Sequence, residues 1–276
     1  MIKKTVWMLA IVASPFLTSH ASPFADAVVA YDPGSGYSQG FTNVQAVVGE
    51  PSRVNPFGES TDPFDPPYGP GQILSIGTGG SLTVQFDTPI LNHPHNLYGF
   101  DFTIFGNAGF IITNDFDLST FNWIGIPATD GSLFAQNDGV TRVSVSMDGR
   151  FFYELRSPTA AKVDNFYPSD GSGDFGIPVP RQVGPSDFVG ATLDQMRQLY
   201  HGSGGGASFD ISWAVDARGR SVRLSEVRFV KVEVLSGKSE IDGFAKVLRA
   251  PHGSRDFAED PDDADHQGDS RHDGHQ

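Results

Sequence analysis

A glycine-rich loop followed by two acids has the most distinctive spacing in the sequence. Residues 202–206 include four glycines, and polar and apolar residues then alternate from Phe209 to Trp213. Glycine readily takes positive φ angles, and the alternation predicts a strand with one buried face. Asp210 and Asp216 stand at the ends of this predicted strand, where carboxylates can bind a cation. Trp213 is predicted to lie in the core.

A second group of residues has the composition of a sugar-binding surface. Trp123 follows Asn122 in a loop-rich segment, and Asn107 and Asp115 precede it. Aromatic rings stack on sugars, and amides and carboxylates bond to hydroxyl groups, so we select Trp123, Asn107 and Asp115 as candidate ligand-binding residues. The alternative is that Trp123 packs onto the core. His201, beside the glycine-rich loop, is the histidine we select for ligand contact.

Catalytic motifs give no support for an enzyme. The chain has no cysteine nucleophile, and it contains no HExxH motif or P-loop. A glycoside hydrolase needs two carboxylates at a set separation. Since the chain has 33 acidic residues, some such pair is inevitable. Non-catalytic binding is therefore favoured, and a glycan hydrolase is an alternative.

The elements that must position these residues are mostly strands. Alternating apolar residues predict strands near residues 27–31, 46–48, 81–86, 98–104, 143–147, 230–234 and 240–248. Asp148-Gly149 predicts a tight hairpin with a return strand to Leu155. One helix is predicted over Ala191–Tyr200. With 32 Gly, 19 Pro and 22 Phe, the composition favours short strands, long loops and an aromatic core.

Charge and the two termini limit the location and the partners. The net charge of -14 disfavours nucleic acids and anionic membranes. Lys3 and Lys4 precede a short apolar run and a small-residue cleavage site, so residues 1–21 are predicted to be a signal peptide. The protein is then exported (periplasmic, on the cell surface or secreted), and its mature chain has no transmembrane segment. Residues 22–250 are predicted to form one β domain with an extended N-terminal lead, and residues 251–276 a disordered acidic tail with four histidines.

Two sets of segments carry a resemblance to known proteins. Residues 144–155, 227–234 and 240–247 resemble the end of a galactose-binding-like jelly roll. Another set is similar to a group of bacterial exported cell-surface proteins, some of which bear sorting tails: residues 31–36, 99–107 and 203–216. The first resemblance implies a jelly-roll-like β-sandwich. The second implies an association, for some members, with outer-membrane uptake systems, including those for corrinoids.

The jelly-roll resemblance also implies a structural calcium. The ion would lie beside the closing strand, and Glu240 is the acid at the corresponding position. Asp242, Asp210, Asp216 and Asp101 are further acids at predicted strand ends that can converge on it, since Ca²⁺ takes six to eight oxygen ligands. The alternative is that these acids cap turns and face water.

Together these observations predict an exported, non-catalytic ligand-binding protein. Carbohydrate is the leading ligand, with calcium supporting the fold. One alternative is an accessory capture protein for outer-membrane uptake of a corrinoid or metal complex, and the other is the glycan hydrolase.

Overall fold

The computed structural model describes residues 22–134 and 140–250. The predicted signal peptide and the predicted acidic tail lie outside the described residues. The strands, numbered in chain order, are β1 (Ala27–Asp32), β2 (Leu74–Gly77), β3 (Ser81–Leu91), β4 (Phe102–Gly106), β5 (Gly109–Phe110), β6 (Phe116–Asp117), β7 (Asn122–Trp123), β8 (Leu133–Phe134), β9 (Val140–Ser146), β10 (Tyr153–Leu155), β11 (Ala207–Phe209), β12 (Ala214–Val215), β13 (Glu226–Ser236) and β14 (Lys238–Lys246). One α-helix, α1, spans Leu193–Tyr200.

Two antiparallel sheets form the sandwich. The larger sheet has the order β1-β3-β13-β9-β10-β12, and the smaller has the order β11-β4-β14-β2. β13 and β14 lie in different sheets although only Gly237, with a φ of 72°, separates them. The chain also passes from the larger to the smaller sheet between β3 and β4, through residues 92–101. This arrangement confirms the predicted all-β sandwich with long loops and one short helix.

The core lies between the two sheets. Val230, Val232 and Val234 alternate along β13 and are fully buried, as their spacing predicts. From the smaller sheet, Phe102 stacks on Phe209 with ring centroids 5.5 Å apart. Burial of such side chains is the main favourable term in folding.

The helix packs beside the sandwich on a second apolar cluster. Its start is fixed by Thr192, whose backbone N–H donates to Gln195 Oε1 at 2.9 Å. Met196 and Tyr200 are buried in this cluster together with Phe188. The helix prediction is confirmed, although the helix begins two residues later than expected. No helix in the described parts of the chain is long and apolar enough to cross a membrane.

Two of the predicted strands are wrong in part because side chains cap the backbone. The segment predicted as a strand at residues 46–48 instead overlaps a 3-10 helix over Val44–Val47, since Asn43 Oδ1 accepts the Gln45 N–H at 3.1 Å. In the stretch predicted from Phe209 to Trp213, β11 ends at Phe209. Its successor is a 3-10 helix over Ile211–Trp213, capped by the Asp210 carboxylate. Asx side chains favour such local bonds over a sheet ladder.

The predicted strand over residues 98–104 also starts late. Tyr98 and Gly99 have φ angles of 54° and 67° within a 3-10 turn, so β4 begins only at Phe102. Left-handed backbone at two successive residues is incompatible with a strand. Trp213, predicted as core, is partly buried and packs against the main core from its edge.

Candidate functional site

Residues 111–127, which we call the arm, leave the sandwich between β5 and β8 and fold as a short hairpin. β6 pairs with β7 so that Phe116 lies opposite Trp123. Asp117 sets the turn, because its carboxylate accepts hydrogen bonds from the Ser119 hydroxyl (2.7 Å) and backbone N–H (2.8 Å). These bonds lower the pKa of Asp117. The negatively charged form of Asp117 therefore stabilises the tip of the arm.

One asparagine holds the base of the arm. Asn114 Nδ2 donates to the carbonyl oxygens of Ile124 (3.0 Å) and Ile126 (3.1 Å). Its Oδ1 accepts the Ala128 N–H at 2.7 Å. The Thr113 N–H donates in turn to the Ala128 carbonyl at 2.9 Å. The arm thus has a specified backbone at its base and at its tip, although its strands are only two residues long.

The arm exposes an unusual amount of apolar surface. Seven of its large apolar side chains are exposed: Ile111, Phe116, Leu118, Phe121, Trp123, Ile124 and Ile126. Leu118, Phe121 and Ile126 show 76%, 77% and 75% of their surface to solvent. Single exposed apolar residues are normal on a soluble protein, but a group of them on one projecting element marks an interaction surface.

Three of these side chains form an aromatic platform. The rings of Phe116 and Trp123 meet edge to face with centroids 4.9 Å apart, and Phe121 meets Phe116 in the same way at 6.3 Å. Trp123 keeps 38% of its surface exposed and belongs to none of the buried clusters of the described chain. The three rings therefore pack on one another while each keeps 38% or more of its surface exposed.

The polar groups of the arm carry only negative charge. The sequence has no lysine or arginine between Gly99 and Thr141. Asp115 adjoins Trp123 at the hairpin, where its carbonyl accepts the Ile124 N–H at 2.8 Å. Its carboxylate makes no hydrogen bond or ion pair within the described chain. The structure thus brings Asp115 and Trp123, two of the predicted ligand residues, onto the same hairpin, where Asp115 lies opposite Ile124 and Trp123 lies opposite Phe116.

The other two predicted ligand residues lie elsewhere. Asn107 is buried beneath the closing strand β14, where its Nδ2 donates to Glu240 Oε2 at 2.9 Å. His201 is exposed and ends α1 in a left-handed conformation, with its N–H bonded to the Arg197 and Gln198 carbonyls. Asn107 therefore supports the fold, and His201 terminates the helix.

The acids predicted as calcium ligands are each held by donors of the protein. Asp242 accepts the Ser52 N–H (2.8 Å) and hydroxyl (2.7 Å). Asp101 accepts the Ile211 N–H and the Asn96 side-chain amide, both at 2.7 Å. Burial raises the pKa of Asp242 and of Asp101 to about 7, against the lowering effect of these bonds.

Two more of these acids form surface ion pairs. Asp210 lies 3.2 Å from Arg181, and Asp216 lies 2.6 Å from Arg220. Across the described parts of the chain, no group of three or more His, Cys, Asp or Glu side chains is arranged to hold a metal ion. Asp101 and Asp210 both accept backbone N–H groups of the 3-10 helix over Ile211–Trp213. Asp216 and Asp242 have their partners elsewhere.

Glu240 belongs to a buried polar cluster at the start of β14. Its carboxylate accepts hydrogen bonds from Ser38, Asn107 and the Lys238 ammonium, the last at 2.9 Å. Burial alone would raise the pKa of Glu240, but the bonds from Ser38 and Lys238 outweigh it and lower that pKa. Asn107 Oδ1 and Ser239 Oγ in this region are buried without a hydrogen-bond partner in the described chain.

The same cluster contains an acid that the sequence did not point to. Asp164 accepts the backbone N–H groups of Asn107 (2.9 Å), Ala108 (3.2 Å) and Glu240 (2.8 Å), so it joins β4 and its continuation to β14. Burial raises its pKa to about 7. Asp164 lies in a long Gly-, Pro- and Asp-rich loop without periodicity, which gives no sequence signal for its role.

No protein-family model matches the chain, and no curated protein matches it. The resemblance to exported surface proteins therefore stays a prediction from the quoted segments.

Proposed function

We propose that the protein is an exported, non-catalytic carbohydrate-binding protein whose ligand surface is the arm. The observation that carries the proposal is the exposed platform of Phe116, Phe121 and Trp123. Sugar rings present apolar C–H faces that stack on aromatic rings, and their hydroxyl groups donate to carboxylates. Asp115 on the same hairpin supplies such a carboxylate, which accepts no hydrogen bond from the described residues. The proposal of export rests on the N-terminal sequence, and the proposal of a carbohydrate ligand rests on this chemistry.

The test is glycan binding by the mature protein and by Trp123→Ala. We expect wild type to bind one class of glycan on an array, and titration calorimetry to show affinity lowered about tenfold or more in the variant, since buried or stacked Trp side chains dominate interfaces. Phe151→Ala, which removes an exposed aromatic ring at the Asp148-Gly149 hairpin, is the matched control and should bind like wild type. Equal binding by wild type and Trp123→Ala would disprove the role of the platform.

Calcium belongs to the proposal only as a predicted stabiliser. The unpartnered Asn107 Oδ1 and the carboxylates of Asp164 and Glu240 are oxygen donors of the type that Ca²⁺ prefers. Lys238, however, already balances the charge of Glu240. The donor set therefore fits calcium incompletely, and no step of ligand binding is assigned to the ion.

The two alternative functions stay predictions. A capture protein for a corrinoid or metal complex would require that adding such a coloured cofactor raise the melting temperature of the protein. A glycan hydrolase would require a carboxyl pair within reach of substrate. Asp164 and Glu240 are two neighbouring carboxyl groups, one with a raised pKa and one with a lowered pKa. The cavity beside Asp164, however, has a volume of about 10 Å³, which is the size of a water site. We interpret the pair as support for β14.

A further inference from the structure

A cleft lies between the arm, the helix and the N-terminal lead, separate from the aromatic platform. Its volume is about 390 Å³, which is within the range of small-molecule sites. Five apolar residues from these three elements form its walls: Phe64, Ile112, Ile126, Pro127 and Leu193. Walls drawn from three separate elements make a concave site that exists only in the folded chain.

The polar groups of the cleft are almost all carboxylates. Asp62, Asp65 and Asp194 line it together with the hydroxyl-bearing Thr192. Among the described residues, no lysine, arginine or histidine lines it. The basic group whose charge reaches Asp62 is Arg197, and its guanidinium is engaged by Asp170 at 2.8 and 3.3 Å. The negative charge of the cleft is therefore not balanced by side chains lining it.

Several carboxylate oxygens in the cleft have no donor in the part of the chain that the structure describes. Asp62 Oδ1 accepts the Phe64 and Asp65 N–H groups, which leaves Oδ2 available. The Asp194 carboxylate makes no hydrogen bond or ion pair there. Asp65 Oδ2 accepts from Asn55, which leaves Oδ1 available. Burial also raises the pKa of Asp62, although the two backbone hydrogen bonds and the charge of Arg197 act to lower it.

From this charge complementarity we propose that the cleft binds a small organic cation, a primary amine carried on an aromatic or alkyl body. The apolar walls would cover the body, and the carboxylates of Asp62 and Asp194 would accept hydrogen bonds from the ammonium. A charge-assisted hydrogen bond in a partly dry site is stronger than a neutral one. The cleft is distinct from the aromatic platform, and binding of the amine does not depend on a glycan at the platform.

The test uses two matched probes, tryptamine and its neutral analogue indole-3-ethanol, titrated into the mature protein at low salt. We expect saturable binding of tryptamine, at least tenfold weaker binding of the alcohol, and weakening of tryptamine binding as salt is added. Asp62→Asn with Asp194→Asn should reduce tryptamine affinity about tenfold or more. Asp62→Asn retains Oδ1, which accepts the two backbone N–H groups, so the turn is preserved.

Control variants show whether tryptamine binding belongs to this cleft. Glu226→Gln removes one negative charge on β13, in the larger sheet, and should leave tryptamine binding unchanged. If the double variant unfolds at a lower temperature, tryptamine affinity is measured instead with the single variant Asp194→Asn, which changes an exposed residue. Trp123→Ala should keep tryptamine binding, so the two sites can fail independently. Equal binding of both probes, no loss in the aspartate variants or no binding of tryptamine would each overturn the proposal.

Discussion

Three buried carboxyl groups carry the pH dependence at the scale of single residues. Asp101, Asp164 and Asp242 each have a pKa raised to about 7 by burial. In the unfolded chain the same groups titrate near their usual value of about 4. The folded state therefore holds more protons than the unfolded state between about pH 4 and pH 7. These groups stabilise the fold most at low pH, and that contribution is lost as pH rises through about 7.

The variant Asp242→Asn isolates one of these contributions. An asparagine is neutral at every pH and can still accept the Ser52 N–H through Oδ1 and donate to the Ser52 hydroxyl. From pH 4 to pH 7 we expect the free energy of unfolding of wild type to fall more steeply than that of the variant, by roughly 1–4 kcal/mol, since one pKa unit corresponds to about 1.4 kcal/mol. Urea unfolding of both proteins at several pH values measures this difference in pH dependence.

A control with the same change of charge completes that experiment. Asp115→Asn alters an exposed carboxylate on the arm, and its curve should run parallel to that of wild type. A parallel curve for Asp242→Asn as well would show that the Asp242 carboxyl does not gain a proton on folding.

At the scale of elements, the end of β4 depends on a close approach of two backbones. A Cβ added to Gly106 would lie 2.4 Å from Asp164 Oδ1 and 2.7 Å from its Cα. Gly106→Ala should therefore displace Asp164 and weaken its bonds to Asn107, Ala108 and Glu240. We expect destabilisation of about 2–4 kcal/mol from overpacking and lost hydrogen bonds, seen as a lower urea midpoint.

Gly71→Ala is the matched control for this substitution. A Cβ at Gly71 meets nothing within 4 Å, and its φ is not in the left-handed region. Its unfolding free energy should stay within about 0.5 kcal/mol of wild type. If Gly106→Ala were as stable as Gly71→Ala, the cluster around Asp164 would not tie β4 to β14.

At the scale of the whole molecule, calcium binding is a question of stability. A ligand that binds only the native state raises the melting temperature by mass action. The sequence predicts a higher midpoint in millimolar Ca²⁺ than in EDTA, and Glu240→Gln should abolish the difference. Glu154→Gln, in a surface ion pair with Arg156, serves as the control. Equal melting temperatures of wild type in Ca²⁺ and in EDTA would show that calcium does not stabilise this fold.

The parts of the fold that follow from local patterns could be predicted from the amino-acid sequence alone. The alternation in β13 and the capped helix α1 lie where the pattern predicted them, because side-chain period and turn chemistry act over a few residues. A hairpin forms at Asp148-Gly149, but its connection is longer than the tight turn predicted: β10 begins at Tyr153, which pairs with Val145, and the Asp148 carboxylate accepts the Arg150 and Phe151 N–H groups in between. Local side-chain bonds also explain the segments that were predicted wrongly. Asn43 and Asp210 cap 3-10 turns in segments where alternation indicated strands.

Which distant residues share a site depends on the tertiary structure. Asp164 and Glu240 are 76 residues apart and meet through a backbone hydrogen bond, while Asp62 and Asp194 line one cleft from opposite halves of the chain. Composition supplied the acids and aromatic rings but no distances between them. Burial, which sets the pKa of an acid and the exposure of Trp123, depends on what packs around each side chain, and that is fixed only when the sheets close on each other.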